Sequence, residues 1–529
     1  MSRVLSDVVC FRRVNGPNPP EDEINLAKLG YRQELKRSWG FFLNMGTSLG
    51  YIGIISSIAT LYSFAFKTGG PQTILIGWLI VAFFSMSTCL SMAEICSAYP
   101  TAGGLYYWSA KLAGPKWGPY MAWITGWFNV LGMLTGSPAT SLQVASILGS
   151  IIQIYNPDFS PSLGWLYGVA IAYAFIGSAT NSIGEASLRA FTWIALVGIS
   201  TGVVVIGVPL LVMSPSKASA SFAFGTFVDL TGWDNSAIVF QLGFLLPMWC
   251  FWGYDASAHI SEETVNADTT PAKSIIYSLV LSIALGWIFL LILSFVITDI
   301  DEILDCPYNE DLVCVYLQGT GGSKPMAFFL TLWTLFQFVF QNITGHNGAS
   351  RGIYAWARDG GIPQWFAYVH PTSKQPLKTI WLHFFTTATL LLINFGSSQA
   401  VSSFSAFSTI GMYAAYTLPT ICKLIWARDT FKRSKINLGS FSTIINLVAA
   451  LWLVYMIVIL SIPRRIPVTS SNLNLSPIMF VGVFLIINVI WFLGARKTFI
   501  GPRQHITAEE IEVLEKSKES LAEKEVVEA

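Results

Sequence analysis

Apolar positions along this chain gather into long runs separated by short polar intervals. A helix crossing a bilayer needs roughly 20 such residues. Twelve stretches supply them: 41–66, 73–95, 118–150, 164–183, 189–213, 236–260, 274–298, 326–350, 378–396, 401–423, 440–462 and 477–495. The third and eighth are long enough to tilt. Lipid offers a backbone no hydrogen bonds, so each stretch is predicted as a helix that pairs its own amides and carbonyls. The expected fold is an all-α membrane protein with polar tails at 1–40 and 496–529.

The cations orient these spans. With both tails in the cytoplasm, the inner loops hold Lys111, Lys116, Arg189, Lys273, Arg351, Arg358, Lys374, Lys378, Lys423, Arg428, Lys432, Arg433 and Lys435. The outer loops hold only Lys67, Lys217, Lys324, Arg464 and Arg465. That asymmetry is the positive-inside pattern, and no cation remains inside a span. The outer loop from Asp299 to Lys324 is acidic and long enough to form a small cap. Cys306 and Cys314 share it and can pair if it faces an oxidising space. Cys10, Cys89, Cys96, Cys250 and Cys422 read as small hydrophobes. Asn474-Leu475-Ser476 is a glycosylation sequon in an outer loop, close to the membrane. From Thr507 the second tail reads as a charged amphipathic helix opened by a Thr507/Glu510 capping box, a solvated trafficking or regulatory segment. No secretory signal peptide is evident, since the polar first forty residues run directly into the first span.

Composition sharpens the class. The chain is 53% hydrophobic and 12% charged, with 19 Trp and 36 Phe in 529 residues, against about 25% charge in soluble proteins. One soluble core could not hide this much apolar surface. A net charge of +1 gives no case for a nucleic-acid partner. No cysteine spacing fits zinc or an iron–sulfur cluster, and no HExxH occurs. No metal, cofactor or catalytic centre is expected, and the chain is read as no enzyme.

Two spans are interrupted by residues that lipid should exclude. "PMWCFWGYDASAHISEE", Pro247 to Glu263, carries a Pro, a Gly, an Asp and a His at the inner end of an apolar run. Pro247 removes an amide before the break, and Gly253 gives an unwound turn its conformational freedom. Asp255 falls where a half-helix resumes, with the dipole favouring its charge. The first span is similar: "GTSLGYIGIISSIATLY" strings Gly46, Gly50, Gly53, Ser56 and Ser57 along one run. Gly46 and Gly50 read as packing residues, whereas Ser56, Ser57 and Gly253 read as site lining. Discontinuous helices in corresponding positions, here the first and the sixth, are the best sequence pointer to a transporter site.

"AEICSAYPTAGGLYYWSAKLAGPKWGPYMAWITGWFN", Ala93 to Asn129, resembles the signature of the amino acid–polyamine–organocation transporters. "GYDASAHISEET", Gly253 to Thr264, and "ARDGGIP", Ala357 to Pro363, resemble the branch holding plant bidirectional amino acid transporters and fungal GABA and choline permeases. The resemblance runs from "LGYRQELKR" at Leu29 to the twelfth span. It implies a LeuT-like fold: five helices at 41–213, their inverted repeat at 236–423, two extra helices at 440–495, and discontinuous helices 1 and 6. It also implies a solute held between those two helices and moved by alternating access. Carried onto this chain, the amides and hydroxyls of Ile55, Ser56, Ser57 and Ile58 would face a carboxylate at a helix start. Carbonyls near Gly53, Phe251 and Trp252 would receive an ammonium group, with Asp255 at the same end. Trp249 and Phe251 match bulky positions that line or close the pocket. Asn129, Trp127, Gln341 and Asn342 are further pocket candidates. Two departures stand out. Ser57 occupies a position where related sequences often carry Gly, and the fifth span lacks the Lys tied to proton coupling in some members.

The remaining charges have plainer readings beside functional ones. Glu94, at the end of the second span, is expected to make a fold-stabilising gate contact rather than to carry a proton. Glu262 and Glu263 read as a solvated face, with inner-gate salt bridges as the alternative. His259 lies one turn after Asp255 on the same face and reads as a hydrogen-bonded structural group, or as a proton site with Asp255. His346 has the same balance, and His383 is a span residue of open role. The chain is thus expected to be a secondary transporter for amino acids, GABA included, in the plasma membrane or a vacuolar or other organelle membrane. A choline or polyamine permease is the alternative, then a non-transporting nutrient receptor. Its partners are a small-molecule substrate and the lipid bilayer; the oligomeric state stays open.

Overall fold

The computed structural model describes residues 21–470 and 472–517. Cys10 and the outer parts of both predicted tails lie outside them. Among the described residues the chain is helical with no named strand, and only two isolated β-bridges occur. A short α1 (Glu21–Lys28) leads to the half-helices α2 (Phe41–Ile52) and α3 (Ile54–Lys67), then α4 (Gly70–Ala98) and α5 (Leu105–Gln153). After α6 (Leu163–Ile183) and α7 (Glu185–Met213) comes a second broken stretch: α8 (Ser236–Leu242), α9 (Leu245–Cys250) and α10 (Ala256–His259). The order closes with α11 (Thr270–Val296), α12 (Asp311–Gly319), α13 (Lys324–Arg358), α14 (Leu377–Leu391), α15 (Ser398–Ile425), α16 (Ser442–Ser461) and α17 (Ser476–Ile490).

Among the described residues, eight helices are long and apolar enough to cross a membrane. The other four predicted stretches are helical too. Two fall within α5 and α15, one on the fifteen-residue α14, and one on the interrupted α8–α10. α5 itself bends where Gly114 leaves helical geometry (φ 71°, ψ −178°) just before Pro115. The bend sets residues 105–113 off as a separate arm. Burial sorts the helices. The most apolar window of the first broken helix is 78% buried within the protein, against 6% for the last helix. Leu493, Val212 and Phe83 are exposed apolar side chains, as expected of surface turned to lipid rather than water.

The two ends of the molecule differ from the sequence expectation. Residues 21–39 do not trail as a tail. Tyr31, Leu35 and Trp39 are buried, and Trp39 bridges Thr264 with its amide on the Glu263 carbonyl (2.9 Å). The second tail folds back beside them: the His505 amide donates to Gly30 O (2.7 Å). Its helix at 508–517 starts at the expected capping box, with Thr507 N donating to Glu510 Oε2 (2.8 Å) and Glu510 N to Thr507 Oγ1 (3.3 Å). At the opposite end the acidic loop folds into α12 and a short helix, and a disulfide joins Cys306 to Cys314. Lys67 binds Asp311 there (2.7 Å). The sequon asparagine is buried, its amide donating to Leu460 O and Ile462 O (3.0 Å each), so it offers no free acceptor for a glycan.

Candidate functional site: two broken helices and a cavity

The first break is one residue wide. Gly53 sits at φ 53°, ψ 64° between α2 and α3. A side chain there would be strained, and its Cβ would meet Gln341 at 2.7 Å. α3 begins at Ile54, so its open first-turn amides are those of Ile54, Ile55 and Ser56. The Ser57 amide is already used by Gly53 O (2.7 Å). The expected cradle at Ile55–Ile58 therefore starts one residue earlier and loses its second half. The serine hydroxyls turn back on the break as well: Ser56 Oγ donates to Gly53 O (2.8 Å) and Ser57 Oγ to Ile52 O (2.5 Å). Gly53 O is thus occupied. Gly50 has the expected packing role, since a Cβ there would overlap Thr344 at 2.5 Å.

The second break runs from Phe251 to Asp255. Gly253 turns it at φ 95°, and its amide donates to the Tyr416 hydroxyl (3.0 Å). That hydroxyl donates in turn to Asp255 Oδ1 (2.6 Å), and Asp255 Oδ2 lies 3.3 Å from His259 Nε2. Asp255 caps no amide of α10, so its carboxylate is held by side chains rather than by the dipole. Ser48 ties α2 to the second break and α10, donating to Tyr254 O (2.7 Å) and accepting from Ser257 N (2.9 Å).

Between the end of α2 and the second break lies a small cavity of about 40 Å³. It is walled by Tyr51 from α2, Met133 to Thr140 from α5, Tyr173 from α6, Trp249 and Trp252 at the second break, and Gln341 to His346 from α13. Trp252 meets Tyr51 and Trp249 edge to face at 5.3 and 5.5 Å. Of the predicted site residues only Trp249 and Trp252 are in this wall, together with the further candidates Gln341 and Asn342. Phe251 turns away onto Trp78 (4.5 Å). Asn129 is buried beside Met412, and Trp127 sits against Trp123 and Trp356; neither reaches the cavity. Gln341 does more than line it. Its side-chain amide donates to Tyr51 O (3.2 Å), Ile52 O (3.3 Å) and Ser57 Oγ (3.0 Å), filling the gap that Gly53 opens.

Below the second break the charges pair in the interior. Arg358 grips Glu262 with two bonds (2.9 and 2.8 Å), and Arg351 binds Glu263 (2.9 Å) and Gln375 (2.7 Å). All four ionic groups are at most 5% exposed, which overturns the solvated-face reading of Glu262 and Glu263. The Ala93–Asn129 signature has its physical reason here. In its Pro-Thr-Ala-Gly-Gly turn, Ala102 O faces His259 Nδ1 (2.9 Å) and Ala102 N donates to Glu262 Oε1 (3.0 Å). Arg358 also stacks over Tyr31 (4.0 Å), whose hydroxyl reaches Asp359 (2.7 Å). Glu94 makes a fold contact of the expected kind, accepting from Lys423, from Ser442 Oγ (2.6 Å) and from Leu438 N (3.0 Å).

Tyr416, Tyr51 and Tyr173 escaped the sequence reading, as did the pairing of His346 with His383. Only the polarity of the two histidines within apolar helices could have flagged any of them. A family model described as amino acid permease matches residues 40–484. The chain is 33% identical to the Arabidopsis thaliana protein named amino-acid permease BAT1, covering 92% of this chain and 96% of that one. It is 32% identical to the rice homolog of BAT1 (90% and 94%) and 26% identical to amino-acid permease 2 of Neurospora crassa (91% and 89%).

Proposed function

Because this chain belongs to the amino acid permease family of integral membrane proteins, we propose that it is a secondary transporter carrying amino acids, GABA among the candidates, by alternating access. Its twelve helical stretches are read as a LeuT-like pair of inverted five-helix repeats, 41–213 and 236–423, with two helices added at 440–495. The observation that supports this reading is the pair of adjacent helix breaks, with a small cavity between the end of α2 and the second break and buried ion pairs beyond that break. A carboxylate would sit at the free amides of Ile54, Ile55 and Ser56, where a helix N-terminus favours negative charge. An ammonium group would sit at the carbonyls of Phe251 and Trp252, with Trp249 and Trp252 as the wall. Ser57 and Ile58 back the first contact, Gly53 and Gly253 permit the bends, and Asp255 with His259 fixes the second. Both termini are assigned to the cytoplasm and the plasma membrane is the first location to test.

The cavity's aromatic rings favour choline or a polyamine as the second reading, through cation–π contact. Uptake and counterflow in proteoliposomes, over a panel of amino acids, GABA, choline and polyamines, separates the two. A carrier shows trans-stimulation by unlabelled substrate. Flux without trans-stimulation would mean a channel, and no flux of any panel member would sink the proposal.

A further inference from the structure

Two histidines stand face to face beside the cavity. His346 on α13 and His383 on α14 have ring centroids 4.1 Å apart and planes 33° apart. Both line the cavity, and they are 2% and 3% exposed. Three of their four ring nitrogens, His346 Nε2 and both of His383, have no hydrogen-bond partner among the described residues. The fourth, His346 Nδ1, lies 3.2 Å from Asn342 O. A carbonyl can only accept, so this nitrogen carries the hydrogen and Nε2 presents a lone pair. His383 in its neutral form adds one N–H and one lone pair.

The rest of the wall supplies no charge. Facing the pair are Tyr51, Ser137, Thr140, Tyr173, Trp249, Trp252, Gln341 and Asn342 from the elements around it, with no carboxylate, Lys or Arg. Two stacked imidazoles with no counter-charge are neutral groups, since a charge buried without a partner is costly. Unpaired buried nitrogens are costly too, so they call for a ligand group that donates and accepts at once. A primary carboxamide does so in one plane, with a carbonyl oxygen and an NH₂ on the same carbon. A carboxylate lacks the donor and would need a proton from elsewhere; an aliphatic chain leaves all three nitrogens unmet.

We infer that His346 and His383 form the side-chain subsite of this carrier and select α-amino acids whose side chain ends in a primary carboxamide, glutamine and asparagine. This rests on the transporter reading above and adds a substrate class to it. The subsite differs from the backbone contacts proposed at the two helix breaks, so the two can fail separately.

Initial-rate uptake of labelled glutamine, glutamate and leucine by the full chain in proteoliposomes tests it. Wild-type protein is expected to favour glutamine over leucine by roughly tenfold or more in kcat/KM, as sites built to bond a polar substrate group do. In His383→Ala and His346→Ala the glutamine-to-leucine ratio falls toward one, and His383→Asn, which keeps a donor and an acceptor, holds the ratio nearer wild type. A second measurement needs no variant: glutamine raises the melting temperature of the detergent-solubilised protein at concentrations where leucine does not. Equal handling of glutamine and leucine by wild type, with transport intact, overturns the subsite and leaves the carrier reading standing. A preference for glutamate overturns it in favour of a charged pair. Alanine variants that keep the wild-type ratio, or that lose all substrates equally, reduce the pair to a structural contact. Absence of transport for every amino acid would instead defeat the reading on which the inference rests.

Discussion

The two ends of this molecule are closed by different means. One end, the terminal end of the described residues, is sealed by desolvated ion pairs, Glu262 with Arg358 and Glu263 with Arg351, over which residues 21–39 and 499–517 are folded. The other end is covered by a disulfide-linked cap held by one pair with a partly exposed lysine, Lys67 with the buried Asp311, and one buried carboxyl, Glu310. A buried pair is costly to break because each lost partner strands a charge; an exposed pair is cheap. Opening the terminal end therefore demands an exchange of partners, whereas the cap end can yield to smaller perturbations.

Glu262→Ala should have the largest effect. It leaves Arg358 unpaired in the interior and should cost about 3–5 kcal/mol, with the double change Glu262→Ala/Arg358→Met less harmful than the single. Thermal unfolding in detergent measures both. A single variant as stable as wild type would remove the distinction between the two ends.

Glu310 comes next and gives the cap a pH dependence. Burial pushes its carboxyl up to about 7, with bonds from Ser146 and Gln143 opposing and Asp311 adding to the rise. A carboxyl whose folded value is raised favours the closed cap while protonated. That contribution is complete below the ordinary carboxylate range near 4.5 and is lost as pH rises through about 7. The loss is on the order of 2–3 kcal/mol. Protection factors over residues 303–320, hydrogen-exchange rates divided by the intrinsic rate at each pH, should fall between pH 5 and 8 in wild type by roughly tenfold or more, and stay flat in Glu310→Gln. The opposite trend would refute this account of the cap.

Smaller effects complete the series. Lys67→Met should cost about 1–2 kcal/mol, because Lys67 is partly solvated but its loss leaves the buried Asp311 unpaired. Glu510→Ala, which frees Arg32 at the protein surface, should cost no more than about 0.5 kcal/mol. Should either melt the protein as strongly as Glu262→Ala, the contrast between desolvated and solvated pairs would be wrong.

What the sequence disclosed follows the same physics. The breaks were legible because Gly53, Gly253 and Asp255 are conspicuous inside apolar runs. The helices were legible because lipid permits no other backbone at those lengths. Side-chain direction inside an unwound turn was not legible, so Phe251 was read into the cavity when it turns to Trp78. Pairings between distant parts of the chain were hidden as well: Tyr416 with Asp255, His346 with His383, Gln341 with the first break. Their partners lie tens to hundreds of positions away, and nothing local announces them. Residues 21–39 read as part of a polar tail because charges outnumber the few aromatic residues that anchor them, Tyr31 and Trp39. Glu262 and Glu263 misled for a related reason, since adjacent acids look exposed until their arginines are known.

Gln341 has one more consequence. A gap in a helix usually leaves bare oxygens that water or a metal ion must satisfy, yet here a neighbouring helix lends its own amide to them. The pivot of the first helix is therefore pinned from outside. Any swing about Gly53 either drags α13 along or shears those bonds, so the two rods move as a linked lever rather than as independent gates.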